Sequence, residues 1–184
     1  MSEFPLCSAC QVEYKTPKDR RFHAQTICCN HCGPSLIFQS KGEMLFGKEA
    51  FEKSEERLKS GGIIAVKGVG GYLFACSPFE DRTVRNLRIL KGREEKPFAV
   101  MFPSVEEIKN YCHVSQKEGE LLTSKSSPIV LLFIKNMGKI APSVAQDSMY
   151  CGAFLPNSPI QAMLLEACGP LIMTSGNISD RPII

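Results

Sequence analysis

Cys7-Ser-Ala-Cys10 and Cys29-Asn-His-Cys32 each space two thiols so that both sulfurs can turn toward one point. Two such knuckles can close a tetrahedral, all-sulfur shell. With no open coordination position, that shell suits structural zinc rather than a catalytic metal. Cys28 leaves a second register open, Cys28-x-x-x-Cys32, although the symmetric spacing favours Cys29. His23 and His31 read as surface imidazoles. Between the knuckles, Arg20-Arg21-Phe22 sets cations beside an aromatic, as zinc ribbons that touch nucleic acid do; a solvated loop explains the same residues equally well.

A second stretch with chemistry in it runs from Lys91 to Met101, Lys-Gly-Arg-Glu-Glu-Lys-Pro-Phe-Ala-Val-Met. In an extended segment Lys91 and Arg93 leave the backbone on the same side, and Lys96 adds a third cation before the short buried strand expected over 98–101. Such a fork at the mouth of a sheet suits a phosphate-rich ligand. The alternative is that the cations merely collect at a helix C-terminus, where the macrodipole favours them. Thr174-Ser175-Gly176-Asn177 offers hydroxyls, an amide and an accessible backbone at a strand end. Strand ends are where α/β sheets bind ligands, and an Asx or Ser turn without any ligand is the competing reading. Lys67-Gly-Val-Gly-Gly71 also follows a strand, but its glycines are not in dinucleotide-binding order. Gly42 to Glu49 nearly fits a P-loop and fails at Glu49, where a magnesium-binding hydroxyl is needed; it reads as a turn into a helix.

The elements that must position these residues follow from periodicity. Asp81–Leu90 predicts a helix with Val84, Leu87 and Leu90 on its core face and Arg82, Arg85 and Arg88 as a basic stripe. A helix is expected from Glu49 to Lys59, stopped by Gly61-Gly62, and another from Ser158-Pro159 to Gly169. Ser104 with Glu107 and Ser115 with Glu118 are capping boxes. Strands are expected at 63–66, 153–155 and 171–173, and the longest apolar run, Pro128–Ile134, predicts a central strand. Residues 135–150 read as loop. Strands alternating with helices indicate an α/β domain, here 39–184, behind a zinc knuckle at 1–38. The 184 residues, 43% hydrophobic, suffice for one main core with a small appendage, and a net charge of +3 neither demands nor excludes nucleic acid. There is no span-length apolar run and no signal-peptide centre, and the nine cysteines sit in knuckles or apolar settings. A reduced, cytoplasmic protein is the expectation.

Taken together, Cys7-x-x-Cys10-x-x-Glu13-Tyr14, Arg20-Arg21-Phe22-His23-Ala24-Gln25 and Cys29-x-x-Cys32-Gly33-Pro34 resemble the second zinc knuckle of the HypF family, the carbamoyltransferases of [NiFe]-hydrogenase maturation. The remainder resembles that family's YrdC-like domain, through Lys67-Gly-x-Gly-Gly71, Lys91-x-Arg93-x-x-Lys96-Pro97-Phe98-Ala99-Val100-Met101 and Thr174-Ser175-Gly176-Asn177. The resemblance implies a YrdC-like twisted mixed sheet flanked by helices, with a small N-terminal four-cysteine zinc knuckle. It also implies that the chain is a fragment, cut within the YrdC-like domain and without its acylphosphatase-like and transferase neighbours. The implied chemistry uses ATP with Mg2+: carbamate derived from carbamoyl phosphate is joined to AMP, and the carbamoyl group then passes to the C-terminal cysteine of HypE. Lys91 and Arg93 would act electrostatically on phosphates and carbamate, with Lys67, Lys96, Thr174, Ser175 and Asn177 binding nucleotide and Cys7, Cys10, Cys29 and Cys32 binding zinc. Leu73, Ser77 and Gln161 depart from the family pattern, which has histidine, an acidic residue and histidine there. Two rivals remain: a threonylcarbamoyl-AMP synthase acting in tRNA modification, and a zinc-ribbon nucleic-acid module.

Overall fold

The structure, a computed structural model, describes residues 5–136, 138–178 and 181–182. Two compact units emerge, Met1–Lys53 and Ser54–Ile184. Among the described residues no helix is long and apolar enough to cross a membrane.

The first unit opens with helix α1, Ser8–Lys15, whose one buried residue is Cys10. Strands β1, Ile37–Ser40, and β2, Glu43–Phe46, form an antiparallel hairpin with Ile37 opposite Phe46. Its turn places Lys41 and Gly42 at φ 45° and 88°, the double positive φ that matches strand twist in tight hairpins. The stretch expected to be only a turn is therefore half a hairpin, and helix α2 starts at Gly47 and runs to Lys59.

The second unit follows with β3 (Ile64–Lys67), β4 (Tyr72–Cys76), α3 (Asp81–Lys91), β5 (Ala99–Met101), α4 (Val105–Lys109), α5 (Gln116–Leu122), β6 (Val130–Phe133), α6 (Pro142–Ala145), β7 (Tyr150–Phe154), α7 (Pro159–Cys168) and β8 (Leu171–Ser175). Its six strands are ordered β3-β4-β8-β5-β7-β6. Only β5 and β7 run parallel; the other neighbours are antiparallel, so the sheet is mixed and flanked by helices. One face is a continuous core in which Cys76, Val84, Leu87, Val100, Leu132, Cys151, Ala153 and Ile172 are all buried.

Three expectations are corrected here. The run Pro128–Ile134 supplies an edge strand, with Leu131 67% exposed and Leu132 buried; alternation, not run length, decides which of its residues enter the core. Leu90 is 51% exposed, whereas Arg88 is only 8% exposed, so the basic stripe is split and one arginine faces inward. The loop expected over 135–150 contains α6, whose Ser143, Val144 and Ala145 are buried. Of the two capping boxes, Ser115 and Glu118 satisfy each other's amides, while at Ser104 the hydroxyl accepts from the Glu107 amide.

Candidate functional site

Helix α3 ends at Lys91 because Gly92 adopts the left-handed conformation, φ 57°, ψ 39°, and its amide bonds back to Arg88 and Ile89 carbonyls. This reversal separates the expected fork. Lys91 turns into the interior, 1% exposed, while Arg93 rides on the following loop. Strand β8 ends at Ser175, opposite Leu73 of β4, and there the two distant segments meet. The Lys91 ammonium donates to the carbonyl of Ser175, to the carbonyl of Asn177 at 2.8 Å and to Asn177 Oδ1 at 3.2 Å. An ammonium has three N–H donors, so all are used. Ser175 Oγ in turn donates to Asn177 Oδ1 at 2.5 Å, and Asn177 Nδ2 to the Arg181 carbonyl.

Gly176 lets this turn lie against β4. Its amide donates to the Tyr72 carbonyl at 2.6 Å, and a Cβ there would sit 2.8 Å from that oxygen. Across from it, Arg93 Nε and Nη2 donate to the Lys96 and Pro97 carbonyls at 3.0 and 2.6 Å, leaving the rest of its fork unengaged by these bonds. Lys91, Arg93, Lys96, Ser175 and Asn177, with Glu94 and Glu95, line one open cleft of about 440 Å3.

Burial pushes the Lys91 ammonium below the ordinary lysine value, and the charge of Arg93 adds to the effect. Burial also lowers Arg93, and lowers Arg88 with help from Arg93. The described hydrogen bonds of Lys91 and Arg93 go to carbonyl and amide oxygens, which carry no full charge to offset them. An incoming anion would relieve that imbalance.

Lys67 lies at the same end of the sheet, paired with Tyr72 and 4.9 Å over its ring, with no described contact to the Lys91 cluster. Thr174 pairs with Phe74, one residue back from the cleft and on the opposite sheet face from Ser175. Of the departures from the family pattern, Leu73 is the cross-strand neighbour of Ser175, and buried Gln161 accepts the Asn157 amide at 2.9 Å. Ser77 lines a different cleft with Glu80 and Cys168. Sequence reasoning missed Arg88. Its alignment with Arg82 and Arg85 suggested a solvated stripe, and the better signal was its place one turn from Val84 and three residues before Lys91.

In the first unit Cys7, Cys10, Cys29 and Cys32 bring their sulfurs within 4.8 Å of one another. Cys7 and Cys29 are 3.6 Å apart and Cys29 and Cys32 3.9 Å. The edge of a tetrahedron with ~2.3 Å Zn–S bonds is about 3.8 Å, so the donor set fits zinc. Cys28 is exposed and outside the cluster, which settles the register. Backbone amides at Cys7 and Cys29 hold the Cys32 thiol down at about 6, whereas burial and the neighbouring thiols push Cys10 up to about 12. Arg21 pairs with Glu13 at 2.6 Å and donates to the Cys28 carbonyl, so it braces the knuckle. His31 is exposed; His23, also exposed, stacks on Tyr14 at 4.8 Å.

Residues 56–184 match the Sua5/YciO/YrdC family, described as telomere recombination, and residues 6–38 match the HypF finger. A carbamoyltransferase HypF from Rhodobacter capsulatus is 40% identical over 183 residues, 99% of this chain and 24% of the relative. A threonylcarbamoyl-AMP synthase from Bos taurus is 28% identical over 135 residues, 72% of this chain and 49% of the relative. A crystal structure of full-length HypF in a phosphate- and nucleotide-bound form superposes with a TM-score of 0.82 at 42% identity, covering 100% of this chain and 24% of that one. The chain thus spans about a quarter of the length of the HypF relatives it matches.

Proposed function

We propose, for a chain that belongs to the Sua5/YciO/YrdC family and carries the finger of the HypF carbamoyltransferases, that residues 39–184 bind MgATP in the Lys91–Asn177 cleft and form carbamoyl-adenylate, behind a zinc knuckle at 1–38. Carbamate, derived from carbamoyl phosphate, attacks the α-phosphorus through an oxygen. The bond from that phosphorus to the bridging oxygen breaks, and its electrons leave with pyrophosphate. No protein nucleophile is needed, so orientation and charge stabilisation carry the catalysis. Arg93 and Lys96 offer charge-assisted donors to phosphate and carbamate. Lys91 acts by its field and by fixing the turn, and Ser175, Asn177 and Thr174 supply polar groups at the strand end, with Lys67 beside them. Magnesium, when bound, neutralises charge on the triphosphate. The carbamoyl group then goes to the C-terminal cysteine of a HypE-type acceptor, with acylphosphatase-like and transferase domains of the same enzyme on either side of this step, in the cytoplasm.

The observation that carries this reading is the buried Lys91 ammonium, bonded only to neutral oxygens in its described contacts, joining the two motifs across 84 residues. Titration calorimetry of the chain with MgATP tests it. Arg93→Ala removes charge-assisted bonds and should weaken binding about 10- to 100-fold, with zinc content and melting temperature unchanged. Unaltered affinity in Arg93→Ala, Lys96→Ala and Ser175→Ala alike would remove the cleft from consideration. The match to threonylcarbamoyl-AMP synthase over 72% of the chain supports a second reading. Pyrophosphate release from ATP that depends on threonine and bicarbonate would select it.

A further inference from the structure

Arg88 stands apart among the cations of α3. It is 8% exposed, and the five oxygens it reaches are all backbone carbonyls. Nε donates to Ser143 at 2.7 Å and Nη2 to Val144 at 3.4 Å, both in α6. Nη1 faces the Arg93, Glu94 and Lys96 carbonyls at 2.9, 3.2 and 3.2 Å, three oxygens of the arch that carries the cleft's cations. The central guanidinium carbon of Arg88 lies over the Phe98 ring, 4.7 Å from its centroid, and that of Arg93 lies over the same ring at 5.1 Å. Two further bonds close the same junction: the Phe98 amide donates to Val144, and Gln146 Nε2 to Glu94, both at 2.9 Å. Without Arg88, the Arg93 carbonyl would lose its described donor, and the Glu94 and Lys96 carbonyls would be left with Gln146 Nε2 and Arg93 Nε alone.

We propose that Arg88 is a positioning residue for the cleft. Its guanidinium fixes the 93–97 arch against α6 and so holds Arg93 and Lys96 where an anion can be received. Its role in receiving an anion rests on the reading of the cleft as a phosphate site. The role needs arginine specifically, because a planar fork with five N–H groups can serve two segments at once, whereas a lysine has three donors on a single atom.

The test compares Arg88→Lys and Arg88→Met with the parent chain by amide hydrogen exchange and by MgATP titration at several salt concentrations. Arg88→Lys keeps the charge and decides the outcome if Arg88→Met does not fold. The expected result is exchange at the Arg93 and Phe98 amides, which flank the arch and donate to the Arg88 and Val144 carbonyls, faster by about tenfold or more, with the β4 and β8 amides unchanged, and MgATP affinity lower by about tenfold. The salt dependence of binding should stay that of the parent, since Arg88 does not touch the ligand, whereas Arg93→Ala should flatten it. Unchanged exchange at those two amides overturns the proposal, as does parent-like affinity despite faster exchange. A salt dependence flattened in Arg88→Met but not in Arg88→Lys would make Arg88 a ligand contact and overturn it too. Should the parent itself fail to bind MgATP, the nucleotide reading falls, and the exchange data alone decide whether Arg88 holds the arch.

Discussion

Among the described residues the buried charged side chains, Arg88 and Lys91, turn inward onto uncharged oxygens, nearly all of them backbone carbonyls. Lys91 is buried with its three donors committed to the Ser175–Asn177 turn, so its contribution to any ligand is a field and a shape. Arg93, half-buried with spare donors, is able to form new bonds, as is exposed Lys96 in the same cleft. The knuckle offers a sharper contrast between neighbours, since Cys29 belongs to the sulfur cluster and Cys28 is exposed beside it. Zinc content, measured by elemental analysis after dialysis, should stay near one ion per chain in Cys28→Ser. In Cys29→Ser it should fall sharply, because three thiolates leave the tetrahedral shell open. Equal retention in both variants would refute the assigned register.

At the scale of elements, β6 shows how burial parts company with hydrophobicity. Leu131 and Leu132 are adjacent and chemically identical, yet one is 67% exposed and the other fully buried. Chemical denaturation should therefore find Leu132→Ala destabilised by about 3 kcal/mol and Leu131→Lys changed by less than about 0.5 kcal/mol. Comparable losses would mean that the second face of this strand is covered in solution. The same element marks the limit of what the amino-acid order discloses. An unbroken apolar run announces a strand, but whether its neighbours lie on one side or both is set by partners distant in sequence. Helix α3 was legible from its 3.6-residue period, although an extended reading of Lys91–Arg93 missed the left-handed Gly92 that ends it. What the period could not reveal was that Arg88, spaced like a surface residue, finds carbonyls from α6 and the 93–97 arch. The hairpin over Ile37–Phe46 escaped because its strands are only four residues each and expose both Ile37 and Phe46. The cysteine knuckles were legible because they depend on residue types at fixed spacing, whereas the meeting of the Lys91 and Ser175 segments, 84 residues apart, entered only through the family resemblance.

For the second unit as a whole, the order β3-β4-β8-β5-β7-β6 matters more than any single contact. Strand β8 lies later in sequence than every strand around it, yet it sits between β4 and β5 and supplies one wall of the cleft. Removing residues from Leu171 onward should abolish the sheet's cooperative melting as well as MgATP binding, as read by circular dichroism and calorimetry. A shortened chain that still melts cooperatively would show that the sheet does not need its central strand. Pairings of such long sequence separation close late and slowly, so refolding should proceed with β4 and β5 held apart until β8 arrives between them. Until then there is no place for a guest to lodge. If the cleft takes nucleotide as proposed, competence to bind becomes a certificate that the chain has finished folding, and a nascent or half-unfolded copy cannot sequester nucleotide.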